Sequence, residues 1–232
     1  MRRTKIAWVK NTDGTQGYVW NIVTGCKHNC SYCYARRIAR RFGKTRQEKS
    51  FMPAFHMAKL FDPLKIKKPS TIFVSSMGDL FGSWIPIFWI EKVLKIVAKC
   101  PQHRFLFLTK NPNRYESFLF LLNSWIGYTA TSTKNCCFDF RGKGNFYLSA
   151  EPLLGEVYIK DNLKWIIIGS LNQNGKPVHP DNGGTRKEWV LSLIEQADKY
   201  KIPVFIKSEM YKLYTDLPQR QELPYLNKEK MV

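Results

Sequence analysis

Seven short runs of nearly uninterrupted apolar or β-branched residues recur along the chain, separated by stretches with helical periodicity. They are Tyr18 to Val23, Thr71 to Ser75, Arg104 to Leu108, Trp125 to Ala130, Asn145 to Ser149, Trp165 to Ile168 and Val204 to Ile206. A strand covered on both faces reads as a continuous apolar run, and alternation of such runs with helices demands a parallel sheet with crossover connections. The chain is therefore expected to be α/β with parallel strands, in six or seven units.

Between the strands, Ile87, Ile90, Leu94 and Val97 recur at helical spacing. Asn111 followed by Pro112 is a cap and first-turn pair for a helix through Leu122, and Thr185 to Tyr200 forms a third helical pattern. Segments 44–69 and 171–184 are rich in Lys, Pro, Asn and Gly and read as loops. A chain of 232 residues is long for one small domain and short for two full ones. With no repeat or linker, the expectation is one domain over 1–232 with a short C-terminal tail from about 208.

Parallel sheets gather their ligands at the carboxyl ends of the strands. The residues following each run define that rim: Gly25 and the cysteines, then Ser76, Met77, Gly78 and Asp79, then Thr109 and Lys110, Thr131, Glu151, Gly169 and Ser170, and Lys207 with Glu209. The sharpest signal on it is GCKHNCSYCYARRIARRF, where Cys26, Cys30 and Cys33 are spaced CxxxCxxC between a strand and a helix. Three thiolates on a tight loop can each hold one iron of a [4Fe–4S] cubane, leaving the fourth iron open to a small molecule. The alternative is a zinc site completed by His28 or a distant histidine. His28 itself is expected to face solvent.

These residues resemble the radical S-adenosylmethionine superfamily, whose hallmark is CxxxCxxC with an aromatic residue, here Tyr32, before the last cysteine. More narrowly, GCxxxCxxCYARR, SSMGDLFGSWIP, FLFLTKNPNRY, LSAEPLLG and WIIIGS, in this order, resemble an uncharacterised phage-associated three-cysteine-motif family, over about Lys5 to Lys207. The resemblance implies a partial (β/α)6-type TIM barrel carrying a [4Fe–4S] cluster and S-adenosyl-L-methionine. Its activity would be reductive cleavage of the cofactor to a 5′-deoxyadenosyl radical that abstracts a substrate hydrogen. Met77, Gly78 and Asp79, beside Ser76, stand where the superfamily accepts the methionine ammonium, in a form that departs from the usual two-glycine motif. From their places on the rim, Lys110 is assigned to the methionine carboxylate and Glu151 to the ribose hydroxyls. A structural Lys–Glu pair is the competing reading for both.

Lys and Arg number 37 against 18 Asp and Glu, a net charge of +19, far beyond what solubility requires. That excess points to a polyanionic partner, with a nucleic acid or nucleotide as the leading substrate class. In the helix after the cysteines, Ala35, Ile38, Ala39 and Phe42 form an apolar stripe opposite Arg36, Arg37, Arg40 and Arg41. Lys44, Arg46 and Lys49, and then Lys65, Lys67 and Lys68, extend the charge. The same surface suits an acidic electron donor such as flavodoxin or ferredoxin, and the rival substrates are a peptide or a small metabolite. A zinc-stabilised nucleic-acid-binding protein without catalysis is the alternative from another class.

Cys100, Cys136 and Cys137 lack motif spacing and are expected to be buried, inert thiols. A sharper idea makes Cys136 or Cys137 a hydrogen-atom donor to a substrate radical. Six cysteines in a chain this long do not make a disulfide scaffold, and the basic start lacks a signal-peptide apolar stretch, so a cytoplasmic protein is expected. The apolar runs fall short of the roughly 18 residues of a membrane span.

Overall fold

In the computed structural model, residues 1–135 and 138–225 are described. Cys136 and Cys137, and with them the hydrogen-donor idea, lie outside the described residues. The chain divides into a unit of Met1–Trp125 and a unit of Ile126–Val232.

The first unit carries β1 (Arg2–Arg3), β2 (Tyr18–Trp20), β3 (Val23–Thr24), β4 (Ala54–Phe55), β5 (Thr71–Val74) and β6 (Arg104–Thr109). Its sheet runs β1-β2-β5-β6, parallel from β2 onward, while β1 lies antiparallel on β2. All four residues of β5 are buried, as its run of apolar and β-branched residues leads one to expect. β7 (Ser124–Thr129), buried throughout, spans the junction of the units. The second unit contains β8 (Asn145–Ala150), β9 (Trp165–Ile168), the hairpin strands β10 (Asn172–Gln173) and β11 (Lys176–Pro177), and β12 (Val204–Ile206). Here β8, β9 and β12 are parallel neighbours in that order, with β9 and β12 wholly buried.

The architecture is thus mixed α/β with a mostly parallel sheet, consistent with a partial barrel. The sheet closes on itself in neither unit, and β1 corrects the expectation of parallel strands throughout.

The helices are α1 (Tyr34–Phe42), α2 (Arg46–Ser50), α3 (Ile87–Ala98), α4 (Lys187–Lys199) and α5 (Ser208–Leu213). α3 buries Ile90, Val93, Ile96 and Val97, so its inner stripe is turned away from the expected Ile87 and Leu94. α4 lies within its predicted limits. The helix expected through Leu122 is instead a 3-10 segment, Pro112–Ser117, after which Phe118 is extended. Tertiary packing overrides the Asn-Pro start, because Tyr115, Phe118 and Phe120 all close on the Phe81 ring at 4.6, 5.9 and 5.8 Å. Only an extended chain after residue 117 lets all three converge there.

The segment 44–69 is not featureless. It holds α2, opened by a Thr45–Glu48 capping box, and β4, which pairs antiparallel with β3. The segment 171–184 contains the β10–β11 hairpin. From residue 208, α5 forms, and the chain then returns along β12: Ile206 N–H donates to Arg220 O, and Glu222 N–H to Val204 O, at 2.8 and 3.0 Å. Among the described residues, no helix is long and apolar enough to cross a membrane.

Candidate metal centre

The cysteine loop begins at a glycine for a steric reason. Gly25 has φ +84°, and a Cβ there would stand 2.1 Å from Met52 O. Only glycine tolerates both. Its N–H donates to Met77 O at 2.9 Å and it forms a parallel bridge with Gly78, while Cys26 N–H donates to Phe51 O at 3.0 Å. Gly78 answers the same constraint, since a Cβ on it would meet Gly25 O at 2.9 Å. The close approach is therefore between the cysteine loop and the loop that ends β5.

Further bonds lock the two loops. Ser76 Oγ donates to Asn21 Oδ1 at 3.1 Å, and Tyr34 Oη donates to Ser76 O at 2.6 Å. Cys33 N–H donates to Cys30 O at 3.2 Å, which turns the chain into α1. Cys33 is the N-cap, its sulfur accepting the Arg36 N–H at 3.4 Å. Cys26, Cys30 and Cys33 are free and partly exposed, and Cys100 is free and buried.

Burial pushes the Cys26 thiol up to about 12, with the charges of Asp79, Cys30 and Cys33 adding to the rise. Lys110 faces the same space. Burial lowers its pKa, opposed by the negative charges of Cys30, Asp79, Cys26 and Cys33. Its Nζ donates to Tyr32 Oη at 3.1 Å and lies 5.4 Å from the Tyr32 ring centre. Tyr32 is held protonated by burial, with Cys30 and Cys33 beside it adding to the rise.

Asp79 is 5% exposed. Its Oδ1 accepts from Phe81 N–H at 2.9 Å and from Thr109 Oγ1 at 2.7 Å; its Oδ2 accepts from Lys110 N–H at 3.0 Å and lies 2.8 Å from His28 Nε2. His28 also meets Trp84 edge-on, ring centres 4.7 Å apart. It is therefore anchored rather than solvent-facing, which corrects the sequence expectation. A single histidine between cysteines carried no signal of this, because its partner lies 51 residues away.

Cys26, Cys30, Cys33, Tyr32, Asp79 and Lys110 are thus gathered at one end of β5 and β6, with Ser76 and Gly78 fastening the loops. Glu151 belongs to the second unit. There Lys207 Nζ lies 3.5 Å from Glu151 Oε2 and 2.8 Å from Glu209 Oε1, and Asn172 Nδ2 donates to Glu209 Oε1 at 3.3 Å.

Among the described residues, no three His, Cys, Asp or Glu side chains converge tightly enough to chelate a single ion. The donor set fits a cubane. It offers three free thiols on one loop, a helix amide donating to one of the sulfurs and a lysine bonded to the Tyr32 hydroxyl of that loop, which suits an anionic thiolate cluster.

One solved structure similar to this chain is a cysteine-to-serine mutant of spore photoproduct lyase. The TM-score is 0.52 at 12% identity, covering 92% of this chain and 76% of that one, which is a likeness of fold. No curated protein matches. A family model described as a protein of unknown function, DUF5131, matches residues 3–216. The chain belongs to the DUF5131 family.

Proposed function

We propose that this protein is a radical S-adenosylmethionine enzyme acting on a nucleic acid or nucleotide. The observation that carries the reading is the trio of free thiols on a loop clamped to the end of β5, with Lys110 and Tyr32 turned toward them. The fold likeness to spore photoproduct lyase supports it.

In this reading Cys26, Cys30 and Cys33 hold a [4Fe–4S] cluster. Bound there with S-adenosyl-L-methionine at its open iron, the cluster would supply the electron that cleaves the cofactor to a 5′-deoxyadenosyl radical. The chain's own contribution is positional and electrostatic. Gly25 and Gly78 fix the loop, the amide of Arg36 is directed at the Cys33 sulfur, and Lys110, bonded to Tyr32, supplies a cation for the methionine carboxylate. Asp79 already receives backbone, hydroxyl and imidazole partners, so a methionine ammonium reaching it must displace one of them. His28 is the only one on the cysteine loop. Glu151, in the second unit, is engaged with Lys207. The substrate class follows from the +19 charge.

The test is anaerobic purification followed by iron, sulfide and zinc analysis, then incubation with S-adenosyl-L-methionine and dithionite. About four irons and four sulfides per chain, with 5′-deoxyadenosine formed, support the reading. Replacing any of the three cysteines by Ala should abolish both signals. One zinc and no 5′-deoxyadenosine would identify a zinc-stabilised binding protein instead.

A further inference from the structure

α1 leaves the cysteine loop at Cys33 carrying Arg36, Arg37, Arg40 and Arg41, with no acidic residue along it. The sequence pattern makes it a helix with an apolar stripe for the core. The structure buries only Ala35, leaving Tyr34, Ile38 and Phe42 exposed at 50, 42 and 67%. The charge continues through Lys44, Arg46 and Lys49. Glu48, the one acid of this segment, is committed to the α2 cap, where its carboxylate accepts from Lys44 N–H and Thr45 N–H at 2.6 and 3.3 Å. Arg36 is half-buried and donates to Asn29 Oδ1, while Arg37, Arg40, Arg41, Lys44, Arg46 and Lys49 are exposed beside the exposed Phe42 ring.

That combination matches one ligand chemistry closely. Guanidinium groups fork onto phosphate oxygens, and exposed rings stack on bases. Base faces are available on a single strand and hidden inside a duplex. Arg41 illustrates the pairing within the chain, its guanidinium carbon lying 5.1 Å from the Phe42 ring centre. An anionic membrane would also attract the arginines. It is disfavoured because this nine-residue helix offers little apolar area to bury at a lipid surface.

We infer that the exposed face of α1 is a docking surface for single-stranded nucleic acid, set directly beside the Cys26–Cys33 loop. The inference deepens the substrate class proposed above and rests on it, but its readout does not require turnover.

The experiment is fluorescence anisotropy on the full chain, purified without oxygen, with single-stranded DNA and RNA and the matching duplex, over a range of salt. Tighter binding of a single strand than of the duplex is expected. Replacing Arg37, Arg40 and Arg41 together by Gln should flatten the plot of log affinity against log salt by about 0.7 per lost phosphate contact. Phe42→Ala should weaken single-strand binding by roughly 5- to 100-fold while leaving the salt slope unchanged. Both changes are on exposed side chains, and thermal melting and iron content should match the parent.

Equal binding by the parent and the three-arginine variant would overturn the inference. So would attachment only to phosphatidylserine vesicles, or light scattering showing a dimer that Phe42→Ala dissociates. Binding that depends on α1 in a protein without iron would overturn the enzyme reading alone. A full iron complement with no nucleic-acid binding would overturn this inference and the substrate class, and leave the radical chemistry standing.

Discussion

His28 and Asp79 join the cysteine loop to the end of β5 across 2.8 Å, although 51 residues separate them. A carboxylate has about four lone-pair sites, and those of Asp79 are occupied by Phe81, Thr109, Lys110 and His28. Asp79→Asn replaces acceptors with a donor facing donors, so both the loop and the Lys110 backbone should loosen. A loss of about 1–3 kcal/mol in stability is expected, together with lower iron content after reconstitution. His28→Asn should retain more iron than His28→Ala, because it keeps a polar contact to Asp79. Wild-type iron loading in both Asp79→Asn and His28→Ala would show that the link is idle.

Lys110 and Tyr32 form a second link beside the cysteine loop, the ammonium donating to the phenol at 3.1 Å, and Tyr32 stands between Cys30 and Cys33 in the chain. Hydrogen bonds and positive charge at a cluster sulfur stabilise the reduced, more negative state. Tyr32→Phe and Lys110→Met should each shift the cluster midpoint to a more negative potential while iron content stays the same. Potentiometric titration followed by electron paramagnetic resonance measures this, and Lys110→Arg should recover part of the shift. An unchanged potential in both variants would sever Tyr32 and Lys110 from the cluster.

The fold class was legible because β5, β9 and β12 are apolar or β-branched at every position, a pattern that burial on both faces explains. The cysteine spacing was legible because it is local. What the sequence concealed was non-local. Phe118 and Phe120 leave helical geometry to reach Phe81, a ring far away in sequence. The β1 pairing is antiparallel because Arg2 and Arg3 meet Val19 and Tyr18, and nothing in two arginines signals a strand. In α1 the periodicity was correctly amphipathic, yet periodicity states only that apolar residues share a face. It does not say that the protein covers that face, and here it does not.

Gly25 offers a sharper test of the loop. A methyl group there meets Met52 O at 2.1 Å, and φ +84° is a left-handed value that alanine resists. Gly25→Ala should cost at least about 2 kcal/mol and displace the cysteines from β5. The expected result is a folded protein by circular dichroism with a lower Tm and little bound iron. Gly14→Ala is the control, because Gly14 shares the positive φ with nothing within 4 Å of its Cβ. It should lose only the conformational component and load iron normally.

The second unit carries its own pH dependence. Burial alone would raise the Glu209 pKa, but the adjacent Lys207 ammonium outweighs it and holds the carboxyl below its ordinary range. Glu151 and Glu209 together raise that of Lys207. A carboxylate with a depressed folded pKa contributes stability above its unfolded value, about 4.3, and loses it as pH falls through the folded value. A lysine with a raised folded pKa contributes fully below about 10.4 and loses that contribution as pH rises through the folded value. The trio should therefore stabilise this unit across the neutral range and fail at both extremes. Glu209→Gln should lower stability at pH 7 by about 1–2 kcal/mol and leave a shallower acid limb in Tm against pH. If the acid limbs of variant and parent run parallel, the Lys207–Glu209 pair does not govern the acid sensitivity of this unit.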